Sequence, residues 1–219
     1  MPAATSSSFR HGATHADQAD TDPLNLDDVA KQRQLNDTGR ADAKAVGEVF
    51  KAAAIPIGKS YSSRFQRAVE TARLIGGKEP QTTLDITEGG LVVSPNENNR
   101  RTQALRALVA TPPDPGTNTL IVTHKPNILD AFGKDWFEIK EGEASIFKPA
   151  SGTYVMVARV QIAPVGDGIE VTTRRDSRRR MLAEGSPQVV ERSQEARRAP
   201  ASSACRAGAR SRSGGIAAA

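Results

Sequence analysis

Apolar positions between residues 37 and 162 alternate between two periods. Val46, Val49, Phe50 and Ala53 fall at i, i+3, i+4 and i+7, one face of a helix that starts at Asp37 or Thr38 and ends at Ile55-Pro56-Ile57-Gly58. A short strand is predicted over Lys59 to Ser62, and Ser63 three residues before Gln66 has the spacing of a capping box for a second helix packed through Ala68, Thr71, Ala72 and Ile75. TTLDI (82–86) reads as a brief strand, and Asn96 to Ala110 as a third helix with Leu105, Leu108 and Val109 facing inward. Thr119 to Thr123 is a nearly continuous apolar run, the pattern of a strand buried on both faces of a parallel sheet. Two closing strands are predicted over Ala144 to Phe147 and Tyr154 to Ile162.

Strands and helices alternate through residue 132, so right-handed crossovers predict a three-layer α/β/α sandwich with a mainly parallel central sheet. Beyond residue 163 no periodic apolar face remains, and residues 164–219 are expected to be an Arg-rich disordered tail behind a domain spanning residues 1–163. Charge supports this division. Of 30 Lys+Arg and 25 Asp+Glu, 11 Arg and 6 acids lie from Pro164 onward, which leaves 19 of each sign before it and places the whole net charge of +5 in the tail. The pI of 9.6 therefore describes an appendage, and no specific nucleic-acid partner is expected. The single cysteine, Cys205, excludes an intramolecular disulfide or a cysteine metal site. No run of about 18 apolar residues suggests a membrane span, and the start MPAATSSS lacks the basic and apolar regions of a signal peptide. As written, the chain reads as cytoplasmic.

Three short motifs lie at the predicted carboxyl ends of strands or in the helix that follows, where ligands collect in open α/β sheets: Arg10-His11-Gly12, Arg67 in SSRFQRAVETA, and His124 in IVTHKPNI. Each is weak alone, since a lone histidine or helix arginine usually has a structural role. Together, FRHGATH, LNDTGRADA, YSSRFQRAVETA and TLIVTHKPNI resemble the histidine phosphatase superfamily, also called phosphoglycerate mutase-like, over residues 9–162. The resemblance implies a phosphate pocket of Arg10, His11, Arg67 and His124, with His11 as the nucleophile that is transiently phosphorylated, and no cofactor. A phosphate monoester carries about −1.5 to −2 charges near neutrality. Two guanidinium groups can clamp its oxygens with planar donors while a second imidazole adds another. The same cations disfavour protonation of His11 and keep it nucleophilic.

Glu88, after the TTLDI strand, is the first candidate for donating a proton to the leaving group, and Glu143 the second. Thr14 is a candidate phosphate ligand, and His15 either another or an exposed loop residue. The expected partner is a small phosphorylated substrate or a phosphoprotein. Simple phosphomonoester hydrolysis is favoured over a phosphomutase, because the interval from Arg67 to His124 is short. A protein-phosphohistidine phosphatase and a non-catalytic phosphate-binding pseudoenzyme are the alternatives within this reading. Metal binding by His11 and His15 at i, i+4 with Asp17, Asp20 and Asp22 would require a helix there, which Gly12 opposes.

The chain departs from the family pattern just before the first motif. Ala3 to Ser8 stand where several apolar residues would form a central strand, and losing about three buried aliphatic side chains removes roughly 5 to 9 kcal/mol. That compares with a typical net stability of about 5 to 15 kcal/mol. The first strand is accordingly expected to be poorly formed or truncated, with a natural start further upstream that supplies the missing strand and an export signal.

Overall fold

The computed structural model describes residues 4–89, 93–165 and 168–174. The chain divides into two units, Met1–Asp176 and Ser177–Ala219, and all described residues belong to the first. Seven strands form one sheet: β1 (Ser6–Arg10), β2 (Ile57–Ser62), β3 (Gln81–Thr82), β4 (Asn118–Thr123), β5 (Ala144–Ala150), β6 (Thr153–Val165) and β7 (Gly168–Arg174), in the order β3-β2-β4-β1-β5-β6-β7. From β3 to β1 all pairings are parallel, and from β1 through β7 they are antiparallel. This is the α/β sandwich that the periodicity predicts, parallel at its centre. Its sheet extends past residue 163, where the tail was expected to begin: β6 runs on to Val165 and β7 pairs with it in register. The backbone ladder needs no apolar face to form, which is why the periodicity did not show this strand. The expected disordered segment from residue 175 onward lies outside the described residues.

Helices cover both faces. On one side lie α1 (Asp37–Ala52) and α2 (Gln66–Gly76), whose Ala43, Val46, Phe50, Ala68, Ala72 and Ile75 pack on Phe9, Leu120 and Val122. On the other lie α3 (Pro95–Ala110) and α4 (Lys125–Phe132), with Leu105, Val109 and Ile128 against Ile121 and Phe147. Local chemistry sets the helix ends. Asn36 Oδ1 accepts from Gly39 N at the start of α1, Ser94 caps α3 ahead of Pro95, and Gly77, with φ of 69°, closes α2 in the left-handed region. No helix among the described residues is long and apolar enough to cross a membrane.

Two local expectations are corrected. Ser63 is not the cap of α2: the helix starts at Gln66 after Phe65, and the Ser63 hydroxyl is used elsewhere. TTLDI forms no strand of its own; pairing with β2 stops at Thr82, and Leu84–Ile86 is a single 3-10 turn.

The serine stretch does form a strand, and it lies at the centre of the sheet. Ser7 and Phe9 face α1 and α2, while Ser6 and Ser8 face the other layer at 0% exposure, with no hydrogen-bond partner for either Oγ. Main-chain pairing on both edges holds β1, from Ser6↔Thr119 to Arg10↔Thr123 on β4 and from Ser6↔Phe147 to Phe9↔Ala144 on β5. Thr5 N adds a bond to Asn118 Oδ1 at 3.0 Å.

Candidate active site

The carboxyl ends of β1, β2 and β4 converge. The chain leaves β1 with His11 N bonded to Thr123 O at 3.0 Å and Gly142 N bonded to His11 O at 3.0 Å, so the residue is held from both neighbouring segments. Next to it the backbone is pressed onto the first turn of α1. A Cβ at Gly12 would sit 2.9 Å from Gly39 O, and one at Gly39 only 2.1 Å from Ala13 O, so both positions require glycine for space. Gly12 N donates to Thr71 Oγ1 of α2 at 3.1 Å.

His11 and His124 are buried with ring centroids 5.1 Å apart. His11 Nδ1 lies 2.8 Å from Gly12 O. A carbonyl can only accept, so the proton is on Nδ1 and the lone pair on Nε2. His124 Nε2 lies 2.6 Å from Ser63 Oγ, and the same hydroxyl accepts from Phe65 N at 3.2 Å. That hydroxyl can also donate its proton to Nε2, and the Glu88 carboxyl oxygen 3.4 Å from Nδ1 favours the tautomer with the proton on Nδ1. Burial pulls the pKa of both histidines well below 6.5. At His11 the second imidazole, Arg67 and Arg10 push the same way; at His124 Arg67, Arg33 and Arg10 do. Both rings are neutral at pH 7.

Around them lie the guanidinium groups. Arg67, on α2, is fully buried, with its Cζ 4.2 Å from the Phe65 ring centroid; Nη1 donates to Asp20 Oδ1 at 2.9 Å and Nη2 to Glu88 Oε1. Arg10 donates through Nη1 to Ile139 O at 2.9 Å and through Nη2 to Glu141 Oε1 at 3.1 Å. The terminal nitrogens are thus engaged, but Arg10 Nε, Arg67 Nε and His124 Nδ1 are buried without a hydrogen-bond partner, and so is Arg33 Nε. Desolvated donors left unpaired are costly, and an oxyanion accepting from them would remove that cost.

The structure thus brings together Arg10, His11, Arg67, Glu88 and His124, with Glu88 Oε1 3.4 Å from His124 Nδ1. Thr14 is at the margin: its Oγ1 is 3.5 Å from Glu141 Oε1, the carboxylate that holds Arg10. Glu143 is committed elsewhere. Its Oε1 accepts from Arg159 Nε at 2.6 Å and its Oε2 from Lys140 N at 3.0 Å. His15 is tied through its backbone to Gln34 O. Residues 11–13 form no helix and Thr14 bridges to Leu35, so the i, i+4 alignment that metal binding by His11 and His15 needs does not arise. The backbone donors at the start of α2 are engaged within the protein, Phe65 N on Ser63 Oγ and Gln66 N on Gln32 Oε1.

Sequence reasoning missed Arg33 and Glu141, and considered Asp20 and Ser63 only in other roles, as a metal ligand and a helix cap. Asp20 Oδ1 accepts from both Arg67 Nη1 and Arg33 N, tying a loop to the site across 47 residues. Loop residues with no periodic pattern leave no such signal, although Ser63 was visible as the serine beside the second arginine.

A family model described as the histidine phosphatase superfamily (branch 1) matches residues 9–90. That span carries Arg10, His11, Arg67 and Glu88; His124 lies beyond it. Among solved structures, the protein histidine phosphatase SixA complexed with tungstate is 17% identical with a TM-score of 0.52, covering 72% of this chain and 96% of its own. Phosphoserine phosphatase from Entamoeba histolytica in complex with 3-phosphoglyceric acid is 18% identical at 0.50, covering 71% and 96%. A mycobacterial glucosyl-3-phosphoglycerate phosphatase with VO3 is 17% identical at 0.50, covering 70% and 97%. These likenesses establish the phosphoglycerate mutase-like fold. No curated protein matches the sequence.

Proposed function

We propose that this chain is a phosphomonoester hydrolase that works through a phosphohistidine intermediate on His11. The observation that carries this reading is the pair of neutral imidazoles with ring centroids 5.1 Å apart, set among buried guanidinium groups that retain unpaired N–H donors. A dianionic phosphoryl group fits such a site by charge and hydrogen bonding, and catalysis of its transfer is mostly positioning and charge stabilisation.

In the first half-reaction the lone pair on His11 Nε2 attacks phosphorus in line and the bond to the ester oxygen breaks. Arg10, Arg67 and His124 Nδ1–H hold the equatorial oxygens, and Arg33 adds positive charge beside them. Glu88 gives its proton to the departing oxygen. In the second, water attacks the phosphoryl group, Glu88 takes a proton from it, the P–N bond breaks and inorganic phosphate leaves with His11 restored. Glu88 suits this role better than Glu143, whose two oxygens are occupied by Arg159 and Lys140 N.

The test is hydrolysis of p-nitrophenyl phosphate with and without EDTA, beside His11→Ala and acid-labile, base-stable trapping of the phosphoenzyme. Chelator-insensitive turnover and a trapped phosphoenzyme, both abolished in His11→Ala, are expected. A folded protein without turnover would make it a phosphate-binding module, and chelator-sensitive turnover would point to a metal.

A further inference from the structure

A cavity of about 500 Å³ lies beside His124, whose ring is neighboured by its wall residues Phe65 and Glu88, and is within the size range of small-molecule sites. Three of its wall residues also contact the phosphate-binding groups. Phe65 stands edge-on to His124 at 5.4 Å and beneath Arg67, while Asp20 and Glu88 accept from that arginine. Pro23, Leu24, Leu26 and Leu84 supply much of the remaining surface, and Leu24 is 79% exposed at the rim. An apolar lining beside a few polar groups is the usual composition of a small-molecule pocket.

The charges around the cavity limit what it can hold. The described wall contains the acidic side chains of Asp20 and Glu88 and one cation, Arg101. That cation is already committed: Nε donates to Glu97 Oε1 at 2.9 Å and Nη1 to Thr87 O at 2.7 Å. A second anionic group on a substrate, placed here, would face the Asp20 carboxylate, the acidic side chain of Glu88 and a guanidinium turned to other acceptors.

We propose that this cavity receives the leaving group, and that the substrates are phosphomonoesters of uncharged, apolar alcohols and not of hydroxy acids. The inference rests on the phosphatase reading and names its substrate class. The test compares kcat/KM for n-hexyl phosphate and 2-phenylethyl phosphate with phosphoserine, 3-phosphoglycerate and a phosphohistidine peptide, in the full chain and in His11→Ala. The first two are expected to exceed the others by roughly tenfold or more, the discrimination an apolar pocket gives for a methylene or two. Leu84→Arg, at a position 43% exposed and so with little effect on folding, should shift that ratio several-fold toward 3-phosphoglycerate. Equal or reversed preference, with turnover still dependent on His11, would overturn the substrate class and leave the phosphatase reading in place. A phosphohistidine peptide as best substrate would do the same. Loss of His11-dependent turnover on every substrate would remove both.

Discussion

β1 and β4 lie side by side at the centre of the sheet, parallel and in register, and each delivers a histidine to the site just beyond its carboxyl end. Their compositions are opposite. β4 buries Leu120, Ile121 and Val122 at 0% exposure and contributes to the packing of both layers, whereas β1 buries Ser6 and Ser8 with unpaired hydroxyls and only Phe9 as a large apolar side chain. The loop after β1 is positioned by a continuous main-chain ladder on both edges of its strand, and the apolar burial that stabilises the layer comes from the neighbouring strands.

That contrast can be broken at several points. The largest effect concerns the two rings. His11→Ala should lower kcat by at least about 10⁴-fold, the scale of losing a covalent nucleophile, and His124→Ala by about 10² to 10³-fold, the scale of losing one charge-stabilising donor. Equal losses in single-turnover assays would mean that the two positions are not divided into nucleophile and stabiliser. Next comes stability: Ile121→Ala in β4 should cost about 2 to 5 kcal/mol in urea unfolding. Acid titration sharpens the comparison of the rings themselves. Both are held neutral in the fold, so below about pH 6.5 the unfolded chain binds protons that the folded chain does not, and stability falls with pH by up to about 1.4 kcal/mol per pH unit for each imidazole. Turnover per folded molecule should persist well below pH 6.5, because His11 stays unprotonated there; an acid limb at or above that value would contradict its burial. The smallest effect is at β1, where Ser8→Ala removes an unpaired hydroxyl and should raise stability by about 1 kcal/mol. A loss there would show that Ser8 has a partner.

β4 was legible because its apolar run states its burial directly, and α1 because its apolar spacing and polar start agree with the observed Asp37–Ala52. Arg10, His11, Arg67 and His124 were legible as motifs, each tied to a strand end or to the helix that follows one. β1 was read as a poor strand because side-chain burial was the only measure of strand strength available, and ladder bonds from β4 and β5 are invisible in local composition. β7 escaped for the same reason. Arg33 was missed, and Asp20 was weighed only as a metal ligand, because a loop carries no periodicity: only the folded path shows Asp20 reaching Arg67. Ser63 was noticed for the wrong role, since a hydroxyl near a helix start can serve the helix or the neighbouring ring, and the ring won.

The facing glycines before and within α1 set a limit on mutational tolerance. Gly39 is 28 positions from His11 and contacts no group assigned to phosphate, yet its α-carbon leaves no space for a methyl against Ala13 O. A saturation library scored on turnover should find position 39 nearly as unforgiving as position 11, with damage that grows with the bulk of the replacement rather than with its polarity.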